Sequence, residues 1–541
     1  MKHRPPLGPA LWVWVSLCPA GGCLRSDPEH CRYDADVCGT SMVCDPCRTA
    51  DHGCVASVEE AECRLSEALS GSDTTAGSDE ASSGEAGGEP VCEAGEAFDP
   101  LCPDHAPICQ QGACASCEAE PQLCPAGRGN CMSWGGCVEC DVHAADACAP
   151  PATFCGQGYA CGGCIEHCQC ASGPECLTGD NLSVGSVVAE ACSDPGSCRT
   201  CDFATGQCTA APRTLWVTHS PSWCAGDEPM TGESDAPFCS LADAYAQMDD
   251  PGEAYVVVVR EEGGEPFEER IYKGDGQADP WTVTLLGEDL PRIVPPASED
   301  FRLVAGHLYL RGLEIAGGIG AGIRCEAEGS EGASLWVDDS LVHGNRVGIY
   351  AEGCDVTVRR TTIVDNEVHG IESYRGGTVT VESSIISRNA WDTDAQLGQL
   401  GIWVQGAPEA ELRLSVRYST LVANRTLIEG GINVGCGAFA DVSVRNSVIF
   451  GLDKECRGAE VESSFTEVAP GSSYGEWFRG LFQASPDFHV SALDPHPLAE
   501  LGRWQLGDPL FDVDGERLQS FPGAPSFVGA DQPSPGAGGG G

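Results

Sequence analysis

Five segments in the second half of the chain share one pattern of apolar and polar positions, [VL]-x-V-x-x-[ST]-x-[VIL]. Their central valines are Val337, Val358, Val381, Val416 and Val444, which are 21, 23, 35 and 28 residues apart. Alternation of apolar and polar residues over so few positions predicts short β-strands and not helices. A repeat of this size, with variable insertions, predicts a solenoid in which each copy forms one coil.

An asparagine follows the pattern, three residues after its last apolar position, in four of the five copies. These are Asn345, Asn366, Asn389 and Asn424, whereas the fifth copy has Leu452. A Gly-Ile pair then opens another strand, as Gly348-Ile349, Gly370-Ile371, Gly401-Ile402 and Gly431-Ile432. If coils stack at the ~4.8 Å spacing of strands, apolar columns should fill the interior. The asparagine amides should then form a ladder of hydrogen bonds from coil to coil.

Fainter copies extend the predicted stack from about residue 255 to about residue 470. A short helix from Ser240 to Met248, with Ser240 and Asp243 at capping-box spacing, is expected to cover its first coil. Cysteines in this half suggest local disulfides, because they would lie where the distance between stacked backbones suits a bridge. The candidate pairs are Cys224 with Cys239, Cys325 with Cys354, and Cys436 with Cys456.

The remaining 28 of the 34 cysteines lie before residue 209, which is far too many for a reducing compartment. Three sets of four follow the spacing C-x6-C-x5-C-x2-C, starting at Cys31, Cys124 and Cys148, and a set starting at Cys102 differs by one residue. Each set can close two disulfides internally, and few large apolar residues lie between them. The C-x2-C pairs also permit zinc, but export to an oxidising space favours disulfides.

The first 22 residues combine a basic start, an apolar run and small residues, which predicts a signal peptide. The string Ala20-Gly21-Gly22-Cys23 resembles a bacterial lipoprotein box with Cys23 as the lipidated residue; the alternative is ordinary secretory cleavage. The predicted order of regions is then a Cys-rich module with the anchor (23–64), a flexible acidic linker (65–91), Cys-rich repeats (92–212), a β-helix with its caps (213–532) and a disordered tail (533–541).

The formal net charge of −51 excludes nucleic acid as an expected partner and keeps the chain soluble. No run of apolar residues approaches the ~20 needed to span a bilayer, so membrane contact is expected only through a lipid anchor. No motif for a cofactor is present. Asp512-Val513-Asp514-Gly515 resembles a calcium loop, but it lacks the distal glutamate and is interpreted as a turn.

Residues 213–532 resemble right-handed parallel β-helix proteins of the pectate-lyase-like superfamily, of the type found in bacterial surface lipoproteins. The opening Leu215-Trp216-Val217 with Ala236-Pro237-Phe238-Cys239-Ser240-Leu241 is similar to the N-terminal cap of that family. The ending, Gly507 to Arg517 followed by Phe527 to Asp531, is similar to its closing segment. The resemblance implies an all-β solenoid preceded by a disulfide-rich, loop-dominated region. It implies little about function, because the superfamily contains lyases, hydrolases and adhesins.

The candidates for catalysis are two adjacent carboxylates and further polar residues on neighbouring coils. They are Asp338, Asp339, His343, Asp365 and His369. Hydrolysis of a glycosidic bond requires two carboxyl groups roughly 5–9.5 Å apart on either side of the bond. The alternative is that these residues lie on the outside of the coil or in its turns and have no catalytic role. The motifs Asn-Thr-Asp and Arg-x-Lys of polygalacturonases and Arg-x-Pro-x-x-Arg of lyases are absent.

These observations predict an exported protein, anchored by lipid in the outer membrane or at the cell surface, or otherwise secreted. Its solenoid would display a long face that binds polysaccharide or cell-envelope partners, and no catalytic group is required. Trp336, Trp403, Tyr350 and Tyr374 offer aromatic faces for sugar rings. The competing hypotheses are a carbohydrate-active enzyme, either a polysaccharide lyase or a glycoside hydrolase, and a purely structural envelope component.

Overall fold

The computed structural model divides the chain into two compact units, residues 1–87 and 88–541. It describes residues 43–44, 54–55, 108–110, 113–115, 117, 124, 130–132, 137–138, 140, 148, 154–155, 161–162, 164–172, 199–203, 207–210, 213–224, 230–250, 253–262, 264–269, 272–273, 281–296, 301–303, 306–327, 332–390, 400–424, 433–453, 456, 459–466, 476–479, 489–491, 493, 496–499, 501–518 and 523–532. The predicted signal peptide, Cys23, the linker 65–91 and the tail 533–541 lie outside these residues. Among the described helices, none is long and apolar enough to cross a membrane.

Three parallel sheets, with ten, seven and seven described strands, form the body of the second unit, and from Trp281 to Cys436 the chain enters sheets A, B and C in turn. Sheet A contains Arg213–His219, Ala254–Glu261, Trp281–Glu288, Gly306–Arg311, Ala333–Asp338, Asp355–Arg359, Gly377–Glu382, Leu412–Arg417, Ala440–Arg445 and Glu460–Glu462. Sheet B contains Arg292–Ile293, Glu314–Ala316, Leu341–His343, Thr362–Val364, Ile385–Ser387, Thr420–Val422 and Val448–Ile449. Sheet C contains Tyr272–Lys273, Phe301–Leu303, Ala321–Glu326, Val347–Glu352, His369–Tyr374, Leu400–Gln405 and Val434–Cys436.

The five template valines lie in register in sheet A. Val337 pairs with Val358, and the register continues through Val381 and Val416 to Val444. All five side chains are at most 1% exposed and belong to one continuous apolar core. Because inward side chains alternate with outward ones along each strand, the same register stacks the outward residues as well. The predicted all-β parallel solenoid is therefore confirmed.

Each coil turns sharply at two corners, where a residue adopts the left-handed conformation. At the corner between sheets A and B these residues include Asp339, Arg360 and Ser383, with φ of 47°, 45° and 45°. The template hydroxyl that follows bonds to the neighbouring coil; Ser340 N–H, for example, donates to Thr361 Oγ1 at 3.3 Å. At the second corner, Asp365 and its equivalents have φ near 54°, and the column asparagine follows directly. The corners thus fix where outward side chains emerge.

The four asparagines lie in one buried column. The Nδ2 atoms of Asn345, Asn366 and Asn389 donate to the Oδ1 atom of the next asparagine, at 3.1, 2.8 and 2.9 Å. Asn433 continues the column, because Asn424 Nδ2 donates to Asn433 Oδ1 at 2.6 Å. A Cβ on Gly370 would lie 2.9 Å from Asn389 Nδ2 and 2.7 Å from Gly401 O, which explains the glycine before each isoleucine.

The expectation that Gly431-Ile432 opens the fourth strand of the Gly-Ile series was wrong. Ile402 pairs with Val434, so the strand begins at Val434 and lies two residues further along the chain. The reason is the asparagine column. Asn433 occupies its next position, and the residue after it must then enter the core. Gly431 and Ile432 themselves lie outside the described residues.

The N-terminal end of the stack is covered, whereas Val461 in the last strand of sheet A is 43% exposed. The helix Leu241–Ala246 lies at the N-terminal end, and Ser240 Oγ caps it by accepting from Asp243 N–H at 3.0 Å. A helical turn, Pro221–Cys224, precedes it and is joined to it by the Cys224–Cys239 disulfide. Near the C-terminus, the hairpin of Gly502–Arg503 and Pro525–Ser526 belongs to a segment that contacts sheet A. Cys325–Cys354 and Cys436–Cys456 are also disulfides.

The Cys-rich region consists of small antiparallel hairpins and the helix His167–Ser172. The paired strands are Val43–Cys44 with Cys54–Val55, Ile108–Gln110 with Ala113–Ala115, Asn130–Cys131 with Cys137–Val138, Phe154–Cys155 with Cys161–Gly162, and Arg199–Asp202 with Gln207–Ala210. The repeats do not all close both bridges internally, although each has enough cysteines to do so. Cys148–Cys161 lies within one repeat, but Cys117–Cys131 and Cys140–Cys155 join consecutive repeats. The repeats are therefore linked covalently in series.

Candidate functional site

A strip of aromatic and acidic side chains runs across the outer face of sheet C. We call it the sheet C strip, and define it as Arg324, Glu326, Tyr350, Glu352, Glu372, Tyr374 and Trp403. Arg324, Tyr350, Glu372 and Trp403 occupy equivalent positions on four successive coils. Glu326, Glu352 and Tyr374 form the parallel column beside them. All seven side chains are partly exposed, because they alternate with the buried residues of the same strands.

Neighbouring side chains hold the two tyrosine rings of the strip in place. Their ring centroids are 6.0 Å apart, and the guanidinium of Arg324 lies 4.6 Å from the centroid of Tyr350. Tyr350 Oη donates to Glu352 Oε2 at 3.0 Å, and Tyr374 Oη donates to Glu372 Oε1 at 2.6 Å. Burial, with help from the Glu352 hydrogen bond, raises the pKa of Tyr350 to about 12. Both phenols therefore remain protonated donors at neutral pH.

The strip can bind hydroxyl-rich ligands. Aromatic rings present flat apolar faces, while the carboxylates of Glu326, Glu352 and Glu372 are hydrogen-bond acceptors for hydroxyl groups. Repetition along the solenoid axis gives an elongated surface and not a closed pocket. Of the four aromatic residues predicted from sequence, Tyr350, Tyr374 and Trp403 are brought together here.

Trp336, the fourth aromatic residue, lies on the outer face of sheet A instead. Phe203 from the Cys-rich region stacks on it, with centroids 4.4 Å apart and an interplanar angle of 13°. The guanidinium of Arg359 lies 5.0 Å from the Trp336 ring centroid. Residues 164–172 and 199–203, which we call the lid, therefore cover this part of sheet A. The spacing of the cysteines does not anticipate this contact.

Asp338 and Asp339, two of the candidate catalytic residues, are paired with arginines beneath the lid. Arg359 Nε donates to Asp338 Oδ1 at 2.9 Å, and Arg360 Nε donates to Asp339 Oδ1 at 2.7 Å. Burial alone would raise the pKa of Asp339, but the charges of Arg311 and Arg360 outweigh it and hold this pKa well below its usual range. A carboxyl group in this state is a poor general acid.

The other three candidates lie at separate places along sheets B and C. Asp365 accepts from Arg388 Nε and Nη2 at 2.8 and 2.9 Å, and His343 Nε2 lies 2.9 Å from Glu314 Oε1. His369 is buried beside Leu400, whose N–H donates to its Nδ1 at 3.2 Å. Burial lowers the pKa of His369. The three aspartates are each engaged by arginine, and the geometry offers no free pair of carboxyl groups among the five candidates.

The candidate metal ligands do not form an open site. Three groups of cysteine sulfurs lie within 4.8 Å of one another, at Cys117, Cys124 and Cys131, at Cys140, Cys148 and Cys161, and at Cys164, Cys170 and Cys201. All nine are disulfide-bonded, and a disulfide sulfur is not the thiolate that zinc requires. In the turn at Asp512, Oδ1 accepts from the backbone N–H groups of Asp514 and Glu516 at 3.1 and 2.8 Å. This carboxylate therefore closes the turn.

Sequence reasoning missed Glu166 and Arg311, which meet in the charge cluster under the lid. Glu166 is 145 residues from Arg311, and no motif links them. A signal did exist for the pairing of Asp338 with Arg359. Each follows its template valine directly, so the register that pairs Val337 with Val358 also pairs these two. Nothing in the sequence could show that the lid would dock at that point.

The comparison with protein families agrees with the architecture. The family described as "Right handed beta helix region" matches residues 306–449. Among solved structures, pectate lyase Pel9A is 14% identical, with a TM-score of 0.35, and the match covers 60% of this chain and 97% of that chain. No curated protein sequence matches the chain. The family match and the three parallel sheets together identify this part of the chain as a right-handed parallel β-helix.

Proposed function

We propose that this protein binds polysaccharide along the sheet C strip, without cleaving it, and does so at the cell surface after export. The observation that carries the proposal is the placement of Tyr350, Tyr374 and Trp403 on three successive coils, partly exposed and interleaved with carboxylates. A repeating surface suits a repeating polymer. The carboxylates of Glu326 and Glu352 are paired with Arg302, Arg324 and Arg375, so the strip carries little net charge and favours a neutral glycan.

The pairing of Asp338, Asp339 and Asp365 with arginines supports binding over hydrolysis. The disulfides support export, because such bridges form and persist in oxidising compartments. Display through a lipid on Cys23 is the simplest way to present the solenoid at the cell surface.

Trp403→Ala and Tyr350→Ala are each expected to weaken binding of a neutral polysaccharide about fivefold, because each removes one aromatic contact face worth about 1 kcal/mol. The double variant should weaken it further. Affinity electrophoresis in gels containing neutral, basic or acidic polysaccharides, followed by calorimetry with the best ligand, measures the effect.

Phe439→Ala is the matched control, because Phe439 is 52% exposed but lies outside the strip. It should leave binding unchanged. An equal loss of polysaccharide affinity in all three single variants would contradict the proposed site. So would retardation of the wild-type protein only in gels that contain acidic polysaccharides. Release of reducing ends or of unsaturated products by the wild-type chain would show that an enzyme is the better description.

Cys23→Ser tests the proposed anchor separately. In a bacterial host the wild-type chain is expected in the detergent phase after Triton X-114 partition, whereas the variant should move to the aqueous phase because it cannot carry the lipid. Cys38→Ser, which removes a cysteine of the first repeat, controls for loss of a thiol. If wild type and Cys23→Ser partition alike in the aqueous phase, ordinary secretion replaces anchoring.

A further inference from the structure

A carboxylate from the lid lies among three arginines of sheet A. Glu166 Oε2 lies 3.2 Å from Arg311 Nη1, and Glu166 Oε1 lies 2.9 Å from Arg360 Nη1 and 3.3 Å from Arg359 Nη1. Glu166 is 3% exposed and each arginine at most 7%. Although burial favours the protonated acid, the three guanidinium groups outweigh it and lower the pKa of Glu166 to about 2. Glu166 is thus fully ionised at neutral pH.

The charges balance only while Glu166 is present. Arg311, Arg359 and Arg360 contribute +3, and Asp338, Asp339 and Glu166 contribute −3. Without Glu166 this surface of sheet A would carry a net charge of +1, in a chain whose formal net charge is −51. Leaving one charge buried and uncompensated is strongly unfavourable, so the surface requires an anionic group.

The lid supplies more than one carboxylate. Phe203 stacks on Trp336, and Tyr309 Oη donates to Asp202 Oδ1 at 2.5 Å. The covered surface therefore receives two carboxylates and an aromatic ring from a peptide. A small cavity adjoins Glu166 and is lined by Arg359, Arg360, Glu382 and Phe511.

The eight described disulfides leave the lid detachable. Cys164–Cys201 closes it internally and Cys170–Cys208 joins it to the neighbouring strand Gln207–Ala210, while the bridges of the β-helix join only residues of the β-helix. Ion pairs, hydrogen bonds, ring contacts and the apolar packing of Ile165 hold the lid on sheet A, and none of these described contacts is covalent. Such contacts can be exchanged for those of a competing ligand.

We propose that the surface under the lid, formed by Tyr309, Arg311, Trp336, Arg359 and Arg360, is a binding site for an acidic, aromatic-containing peptide segment of a partner protein. In the structure the chain's own Glu166, Asp202 and Phe203 occupy this site. The lid is then an internal competitor that keeps the site closed until the partner is present. This site lies on sheet A and is independent of polysaccharide binding on sheet C.

The test uses the full chain and a labelled peptide, Gly-Glu-Gly-Asp-Phe-Gly, in fluorescence anisotropy. Glu166→Ala is expected to bind it at least tenfold more tightly than wild type, because the internal competitor has lost its carboxylate. Adding Arg360→Ala to this variant should abolish the gain. Glu288→Ala removes an acid that pairs with Arg260 elsewhere on sheet A, and is expected to behave as wild type. The neutral peptide Gly-Gln-Gly-Asn-Phe-Gly should not bind.

Wild-type protein provides a second measurement if Glu166→Ala does not fold. Excess acidic peptide should increase hydrogen exchange of the amides of residues 199–203 without changing that of Val379–Val381. An unchanged affinity in Glu166→Ala, or unchanged exchange in wild type, would show that the lid contact is only structural. Tighter binding of a carboxylated or sulfated glycan than of the peptide would overturn the assignment of the partner.

Discussion

Asn389→Leu is expected to lower the free energy of unfolding by about 3–5 kcal/mol. Asn389 is 1% exposed, and its Oδ1 accepts from the backbone N–H of Asn366 at 3.1 Å and from Asn366 Nδ2 at 2.8 Å. Leucine has a similar size but no acceptor, so both donors lose this partner inside the coil. Each buried, unsatisfied polar group costs about 1–3 kcal/mol. Urea denaturation followed by circular dichroism measures the change.

Thr378→Leu is the matched control for this effect. Thr378 is exposed and is the second residue of the sheet A strand of the same coil, so the same type of substitution should change stability by less than about 0.5 kcal/mol. If Asn389→Leu cost no more than this control, the asparagine column would contribute little. The stack would then depend on its apolar core alone.

Acidification is expected to loosen the lid as the pH falls from about 6.5. His167 is 1% exposed, and its Nδ1 accepts from Cys201 N–H at 3.1 Å, which requires the neutral ring. Burial, together with the charge of Arg311, lowers the pKa of His167 from 6.5 to about 3. Below pH 6.5, His167 is therefore protonated in the undocked lid but stays neutral in the docked lid. The free energy of docking therefore becomes less favourable by about 1.4 kcal/mol per pH unit, which amounts to about 2 kcal/mol at pH 5.

Other charged groups near His167 do not obscure its effect on docking between pH 7 and pH 5. Glu166 and Asp339, which face it, have lowered pKa values in the docked lid and so remain ionised there between pH 7 and pH 5, and the positive charges of Arg311 and Arg359 also act on His167. Hydrogen exchange of residues 199–203, corrected for its intrinsic pH dependence, reports docking between pH 7 and pH 5. His167→Asn keeps an acceptor near Nδ1 but cannot be protonated. An equal pH dependence in this variant would assign the effect to another group.

The sheet C strip was only partly predictable from sequence. Strand periodicity places Tyr350 and Trp403 on the outside, and the common register of the coils places both on one face. Trp336 has the same outward position on its own strand, but that strand belongs to sheet A. Local alternation distinguishes inside from outside. It does not show which outside faces remain uncovered, because that depends on what other parts of the chain pack there.

The sequence by itself determined the solenoid, the inward valine columns and the asparagine positions, because each coil repeats the same short-range pattern and stacking requires only the nearest coil. The tertiary structure alone decided that Glu166 meets Arg311 and Arg360, and that the ion pairs of Asp338 and Asp339 lie beneath the lid. Glu166 is separated from these arginines by 145 and 194 residues. Their contact depends on how the Cys-rich region docks on the β-helix, and no described disulfide joins the two regions. No local periodicity encodes that arrangement.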